Sequence, residues 1–288
     1  VVLPDSQAVT LATAGSKGCI RLWQTSEKDG KTELVMIGEQ RQSDSFGEAR
    51  GGYLQLHYNP ATVADDAEFD DLLPDQLLVA DAEQNLSFLT VGSLETTRTI
   101  VGNNDEILDL KVIPEEQLSR IVVATNSAQV RIFDVHTFSC HVLDRHTATV
   151  LCVDVSPCGR FLVSCGKDKT LRVWHLESKR CVAVASGHTE AIGAAALSRK
   201  QGRYDVRGKA ATNGGGSFCV TASMDRTLKR WNLPGASDLE ATQDEFQLPA
   251  FVSVRAHEKD INIVSVAPND SLVATGSQDK TIKLWRAT

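Results

Sequence analysis

The stretch LVSCGKDKTLRVW, residues 162–174, reads as two short strands folded about a tight turn. Apolar and β-branched residues fill both arms, and Asp168-Lys169-Thr170 sits where the chain must reverse. The piece returns as CVTASMDRTLKRW at 219–231 and as LVATGSQDKTIKLW at 272–285, the latter with one extra residue at its front. Degenerate copies are TLATAGSKGCIRLW (10–23), LLVADAEQNLSFL (77–89) and IVVATNSAQVRIF (121–133). The copies close at 23, 89, 133, 174, 231 and 285, with gaps of 66, 44, 41, 57 and 54 residues. Self-similarity at such spacing marks a repeat architecture, in which each copy is one supersecondary unit and long gaps are insertions.

A second piece precedes each of the three best copies: RHTATVLCVDVSPCGR (145–160), GHTEAIGAAALSRK (187–200) and AHEKDINIVSVAPND (256–270). Each holds a His followed by an alternating apolar strand. Together the two pieces resemble the WD-repeat family of β-propellers, and the shortest gaps fit its blade of roughly 40–45 residues. The resemblance implies an all-β fold of four-stranded antiparallel blades. About six are visible, with both ends of the chain expected to fall inside a blade. It also implies a hydrogen-bonded chain from Trp through Ser or Thr and His to Asp. The matching sets are His146, Ser164, Asp168 and Trp174; His188, Thr221, Asp225 and Trp231; and His257, Thr275, Asp279 and Trp285. Buried polar groups need partners, and a closed chain satisfies four together. The first three blades carry Lys17, Glu83 and Ser127 at the Asp position. They are expected to rest on apolar packing, with looser turns.

The 288 residues are 42% hydrophobic and 23% charged, which is globular usage. No apolar run reaches the roughly 18–20 residues of a membrane helix, and Val1–Asp5 shows no charged-then-apolar signal pattern. Residues 1–144 carry 10 Lys/Arg against 23 Asp/Glu, whereas residues 145–288 carry 20 against 14. The acidic whole argues against a dedicated nucleic-acid binder, and the basic second half weakens that argument. Seven cysteines without a CxxC pair point to buried, reduced thiols rather than a disulfide framework or zinc site.

Four insertions are expected: Gly38–Gly52, Asn59–Asp75, Ser198–Ser217 and Leu233–Leu248. Long loops on a rigid scaffold are where binding concentrates. One holds the acidic residues Asp65, Asp66, Glu68, Asp70 and Asp71, a candidate partner-docking segment. Another holds Arg199, Lys200, Arg203, Arg207 and Lys209, a candidate RNA or partner contact. Ser164, His146 and Asp168 have the residue types of a hydrolase triad, yet the trio recurs in two further repeats, and an active site is built once. The Gly214-Gly215-Gly216 run lacks the Lys-Ser/Thr of a phosphate loop. The sequence therefore offers no catalytic, cofactor or metal site, and no small-molecule substrate.

A narrower resemblance covers most of the chain. AHEKDINIVSVAPNDSLVATGSQDKTIKLW (256–285) is similar to a blade of the transducin-beta-like WD-repeat proteins of the small-subunit processome. The run 103–151, with its non-WD "ATNS" turn, is similar to an earlier blade pair of that family. The resemblance implies two domains: 1–143 as the later part of a first propeller and 144–288 as the start of a second. It implies a nucleolar, non-catalytic scaffold that works with U3 snoRNA in pre-rRNA processing and 18S rRNA maturation. The implied partners are other WD-repeat processome proteins, with indirect or peripheral contact to U3 snoRNA and pre-rRNA, and no membrane. The alternative is a peptide-recognition adaptor, such as a ubiquitin-ligase substrate receptor or signalling scaffold.

Overall fold

The computed structural model describes residues 2–3, 10–15, 18–28, 31–41, 53–59, 76–81, 83–100, 105–113, 120–135, 137, 139–200, 217–234 and 245–287. Among them are 24 β-strands and no helix. The chain divides into two units, one of Val1–Ile107 with Glu116–Leu118, the other of Leu108–Glu115 with Ser119–Thr288.

The first unit holds two sheets, each of four strands in sequence order. The first sheet comprises β1 (Val2–Leu3), β2 (Thr10–Gly15), β3 (Cys19–Lys28) and β4 (Lys31–Arg41). The second comprises β5 (Tyr53–Asn59), β6 (Gln76–Asp81), β7 (Leu86–Thr90) and β8 (Thr96–Ile100). Ile20, Leu22, Leu77, Val79 and Leu89 form the core between them. The β3–β4 hairpin is longer than the rest, with arms of 10 and 11 residues. The insertion expected from Gly38 therefore begins later, because Gly38–Arg41 completes β4.

The second unit holds four sheets. The third sheet contains β9 (Ile107–Val112), β10 (Arg120–Thr125), β11 (Val130–Asp134) and β12 (Cys140–Leu143). The fourth contains β13 (Val150–Val155), β14 (Phe161–Gly166), β15 (Thr170–His175) and β16 (Arg180–Ser186). β17 (Ile192–Leu197), β18 (Phe218–Ser223) and β19 (Thr227–Asn232) begin the fifth; β20 (Phe246–Leu248) precedes its outer strand, β21 (Ala250–Arg255). The sixth has β22 (Ile261–Val266), β23 (Leu272–Ser277) and β24 (Ile282–Arg286), three strands among the described residues. Every residue of β14 and β18 is buried, because these strands are covered on both faces. Apolar side chains of neighbouring sheets interdigitate: Trp174 with Ile132 and Leu143, Trp231 with Val173 and Ala185, and Trp285 against Val220.

One sheet departs from the four-stranded pattern. β20, from the insertion before β21, does not join its own sheet. It adds in parallel to the edge of β16 as a fifth strand, with Ala183 opposite Phe246 and Ala185 opposite Leu248. Leu248 is buried in the core between the fourth and fifth sheets. Glu245, just ahead of it, faces Arg172 at 3.5 Å and Arg145 at 3.9 Å. The free edge of β16 is a template that the chain itself covers.

Candidate functional site

Three polar chains run through the second unit. In the fourth sheet the Trp174 indole N–H donates to Ser164 Oγ at 2.7 Å. Ser164 Oγ and His146 Nε2 lie 2.7 Å apart, and His146 Nδ1 and Asp168 Oδ2 lie 2.6 Å apart. The fifth sheet repeats this with Trp231, Thr221, His188 and Asp225, every link 2.8 Å. The sixth repeats it with Trp285, Thr275, His257 and Asp279 at 2.9, 2.8 and 2.9 Å. For a neutral imidazole the network fixes one tautomer: the hydroxyl donates to Nε2, and Nδ1–H donates to the carboxylate.

Each Asp also builds its turn. The second oxygen of Asp168 accepts the Thr170 amide and hydroxyl, at 3.1 and 2.9 Å. Asp225 and Asp279 do the same for Thr227 and Thr281. The middle residues Lys169, Arg226 and Lys280 have φ of 65°, 68° and 66°. That left-handed conformation is costly for a side chain bearing Cβ, and the carboxylate clamp holds it. Burial pushes the Asp168 carboxyl up, but hydrogen bonds and charge from His146 outweigh it and hold the pKa at about 2. Asp225 is likewise lowered to about 2, with burial opposed by hydrogen bonds from Thr227 and His188. Asp279 is held below the usual range, chiefly by the Thr281 hydroxyl. Burial pushes the His188 imidazole down, against the pull of Asp225.

The earlier sheets are held differently. In the first, the Trp23 indole still donates to Thr13 Oγ1 at 2.9 Å. In the second, the turn carboxylate is Asp81, not Glu83: Asp81 Oδ1 accepts the amides of Glu83 and Asn85, both at 2.9 Å. In the third, Ser127 Oγ meets Thr125 Oγ1 at 2.9 Å and accepts the Gln129 amide at 3.3 Å. Those two turns are thus polar-clamped rather than loose. Lys17 lies outside the described residues.

The basic insertion is anchored at its base. Asp270 in the sixth sheet's turn accepts the Arg199 and Lys200 amides at 2.6 and 3.0 Å. The Arg199 guanidinium does not point away as a free contact: it reaches Asp154 Oδ2 of the fourth sheet at 2.9 Å. Asp154 also accepts the Leu197 amide at 2.8 Å. Burial raises its pKa, opposed by the Arg199 charge and the Leu197 hydrogen bond. One repeat earlier, Asp109 accepts the Val153 amide at 2.9 Å. These carboxylates stitch first strands of adjacent sheets together. The available signal was a lone Asp inside an apolar strand, as in ILDLKV and VLCVDV. Arg203, Arg207 and Lys209 lie outside the described residues, as do Asp65, Asp66, Glu68, Asp70 and Asp71.

The family described as WD domain, G-beta repeat, matches residues 135–175 and 250–286. Those stretches include the fourth sheet's tetrad and the sixth's. The chain belongs to the WD-repeat family. Its sheets are the family's blades. It is 35% identical over 301 residues to transducin beta-like protein 3 of Bos taurus, covering 99% of this chain and 33% of the relative. It is 33% identical to the Homo sapiens protein of that name, covering 97% of this chain and 31% of the relative. It is 30% identical to U3 small nucleolar RNA-associated protein 13 of Saccharomyces cerevisiae, covering 73% of this chain and 27% of the relative. The chain thus spans about a third of the curated relatives' length.

In this WD-repeat chain the Ser–His–Asp sets cannot act as triads as they stand. Ser164 and Thr221 are 0% exposed, and the His146 and His188 side chains likewise. A nucleophile sealed between sheets cannot reach a substrate, and its hydroxyl is already committed to an indole and an imidazole. All seven cysteines are free thiols. Among the described residues no cluster of three His, Cys, Asp or Glu could hold a metal ion. What the arrangement does is mechanical: it fixes sheets and turns, and with them the surfaces they carry.

Proposed function

We propose that this chain is part of a non-catalytic scaffold of the nucleolar small-subunit processome, the U3 snoRNP, and serves pre-rRNA processing and 18S rRNA maturation through protein–protein contacts. The observation that carries this reading is identity of 33–35% along nearly the whole chain to transducin beta-like protein 3, joined by a yeast relative named for association with U3 small nucleolar RNA. The rigid tetrads and stitched first strands suit such a role, since they present surfaces without chemistry of their own. Its partners are other WD-repeat processome proteins, with peripheral contact to U3 snoRNA and pre-rRNA. In this reading the two parts of the chain belong to successive propellers.

The test is purification of the full-length protein from its own cells. Co-purification of U3 snoRNA and processome proteins, and loss of 18S rRNA on depletion, are expected. Cullin-type or signalling partners without U3 snoRNA would replace this reading with the adaptor. A variant of Lys200, Arg203, Arg207 and Lys209 to Ala is expected to weaken association with pre-rRNA or partners without lowering Tm. Arg199 is left intact because Asp154 needs it. Unchanged recovery of pre-rRNA and partners would remove the basic insertion from the contact surface.

A further inference from the structure

β20 lies on the edge of β16 as a ligand lies in a site. Its three residues pair in parallel, in a sheet whose other strands pair antiparallel. Parallel pairing is slightly less stable per residue. Successive residues of an extended chain point to opposite faces, so residues three apart grip both sides of an edge. Glu245 reaches Arg172 and Arg145 on one side. Leu248 enters the core between the fourth and fifth blades on the other, 4% exposed. The segment is therefore held at two points, a carboxylate and, three residues on, an aliphatic side chain.

The fit is close at Leu248 and poor elsewhere. Phe246 is apolar yet 46% exposed. Glu245 stands 3.5 Å from Arg172 Nη1 and 3.9 Å from Arg145 Nε. A well-made hydrogen bond between a guanidinium and a carboxylate spans about 2.7–2.9 Å, and the pair is frequently bidentate. Arg172 Nη1 also lies 3.7 Å from Cys181 Sγ, a weak acceptor. Its Nε is buried and meets no acceptor among the described residues. Two guanidinium groups thus share one distant carboxylate, and one of them keeps an unused donor.

We propose that the outer edge of β16 is a strand-addition site for a partner polypeptide, with β20 as its internal placeholder. The partner segment is extended, runs parallel to β16 and carries Asp or Glu three residues before Leu, Ile or Val. Its carboxylate takes Arg172 and Arg145, its aliphatic side chain takes the place of Leu248, and its backbone pairs with Ala183–Ala185. β20 leaves as the partner enters. The placeholder sets the apparent affinity, because a partner binds only the fraction of molecules whose edge is free. The site does not depend on the processome reading.

The probe is a fluorescent peptide of residues 241–250, ATQDEFQLPA, followed by anisotropy on the full-length protein. The parent is expected to bind it weakly, and the Leu248→Ala protein at least roughly tenfold tighter, because its own strand no longer holds the edge. Glu245→Gln, which leaves the apolar core untouched, is expected to tighten binding by about threefold and carries the test if Leu248→Ala fails to fold. A peptide with Glu245→Lys is expected to bind the loosened proteins roughly tenfold more weakly than the native peptide. Adding Arg145→Ala and Arg172→Leu to the loosened proteins is expected to erase that difference while a cooperative melt is kept. Equal affinity for the parent and the loosened variants, no binding to any of them, or a preference for Glu that survives loss of both arginines overturns the proposal. Dimerisation of the loosened variants in sedimentation, without peptide binding, also overturns it and gives the edge to a second copy.

Discussion

Ser164 is the residue on which the fourth blade's polar chain turns. It accepts from Trp174 and donates to His146 with no exposure to water. Ser164→Ala removes one hydroxyl yet strands two buried groups, so the loss is expected to exceed that of a single hydrogen bond. At about 1–3 kcal/mol for each unsatisfied group, the sum is roughly 2–6 kcal/mol. Thr221→Val, which keeps the shape, is expected to cost nearly as much in the fifth blade, because shape is not what the indole needs. Thermal unfolding checks both, and a Tm within a degree of the parent would show that the chain of contacts contributes little. The same burial separates structure from catalysis: neither variant is expected to alter any hydrolytic background.

Strands and turns were legible in the sequence where a local rule dictates them. The D-x-T turns with their left-handed middle residue follow from side-chain chemistry two residues apart, and so do the hairpins they close. Asp81 was missed because the carboxylate sits two residues before the family position, yet it clamps the Asn85 amide, the counterpart of the Thr170 amide that Asp168 holds. β20 was invisible for a different reason. Its three residues carry no periodicity, and its partner β16 lies more than 60 residues earlier in the chain, so only tertiary proximity defines it. The stitching of Asp109 and Asp154 to the next first strand is likewise non-local. Leu248 tests whether β20 is held or merely adjacent. Leu248→Ala is expected to lower stability by about 2–4 kcal/mol, as for other buried leucines. It should also speed amide exchange along the outer edge of β16. Exchange unchanged there would mean that the fifth strand is not maintained in solution.

The whole molecule responds to acid through the turn carboxylates. In the unfolded chain Asp titrates near 3.9 and His near 6.5. Folded Asp168 and Asp225 titrate at about 2, and Asp279 is also lowered. A depressed carboxylate stabilises the fold fully above the unfolded pKa, and this is lost as pH falls from about 4 toward 2. His188, also lowered, acts in the same direction: below about 6.5 the unfolded chain takes up the proton first, so stability begins to fall there. Asp154 works oppositely, since its raised pKa makes the folded state bind a proton more readily over part of the acid range. One such group against three lowered carboxylates does not reverse the trend. Tm is therefore expected to decline gently from pH 6.5 to 4.5 and steeply below 4. Replacing Asp168 and Asp225 together by Asn should lower Tm at pH 7 and flatten the steep limb, because the groups whose protonation drives it are gone. A parent Tm level between pH 6 and 3, or a double variant with the parent's slope, would show that blade turns do not govern the acid response.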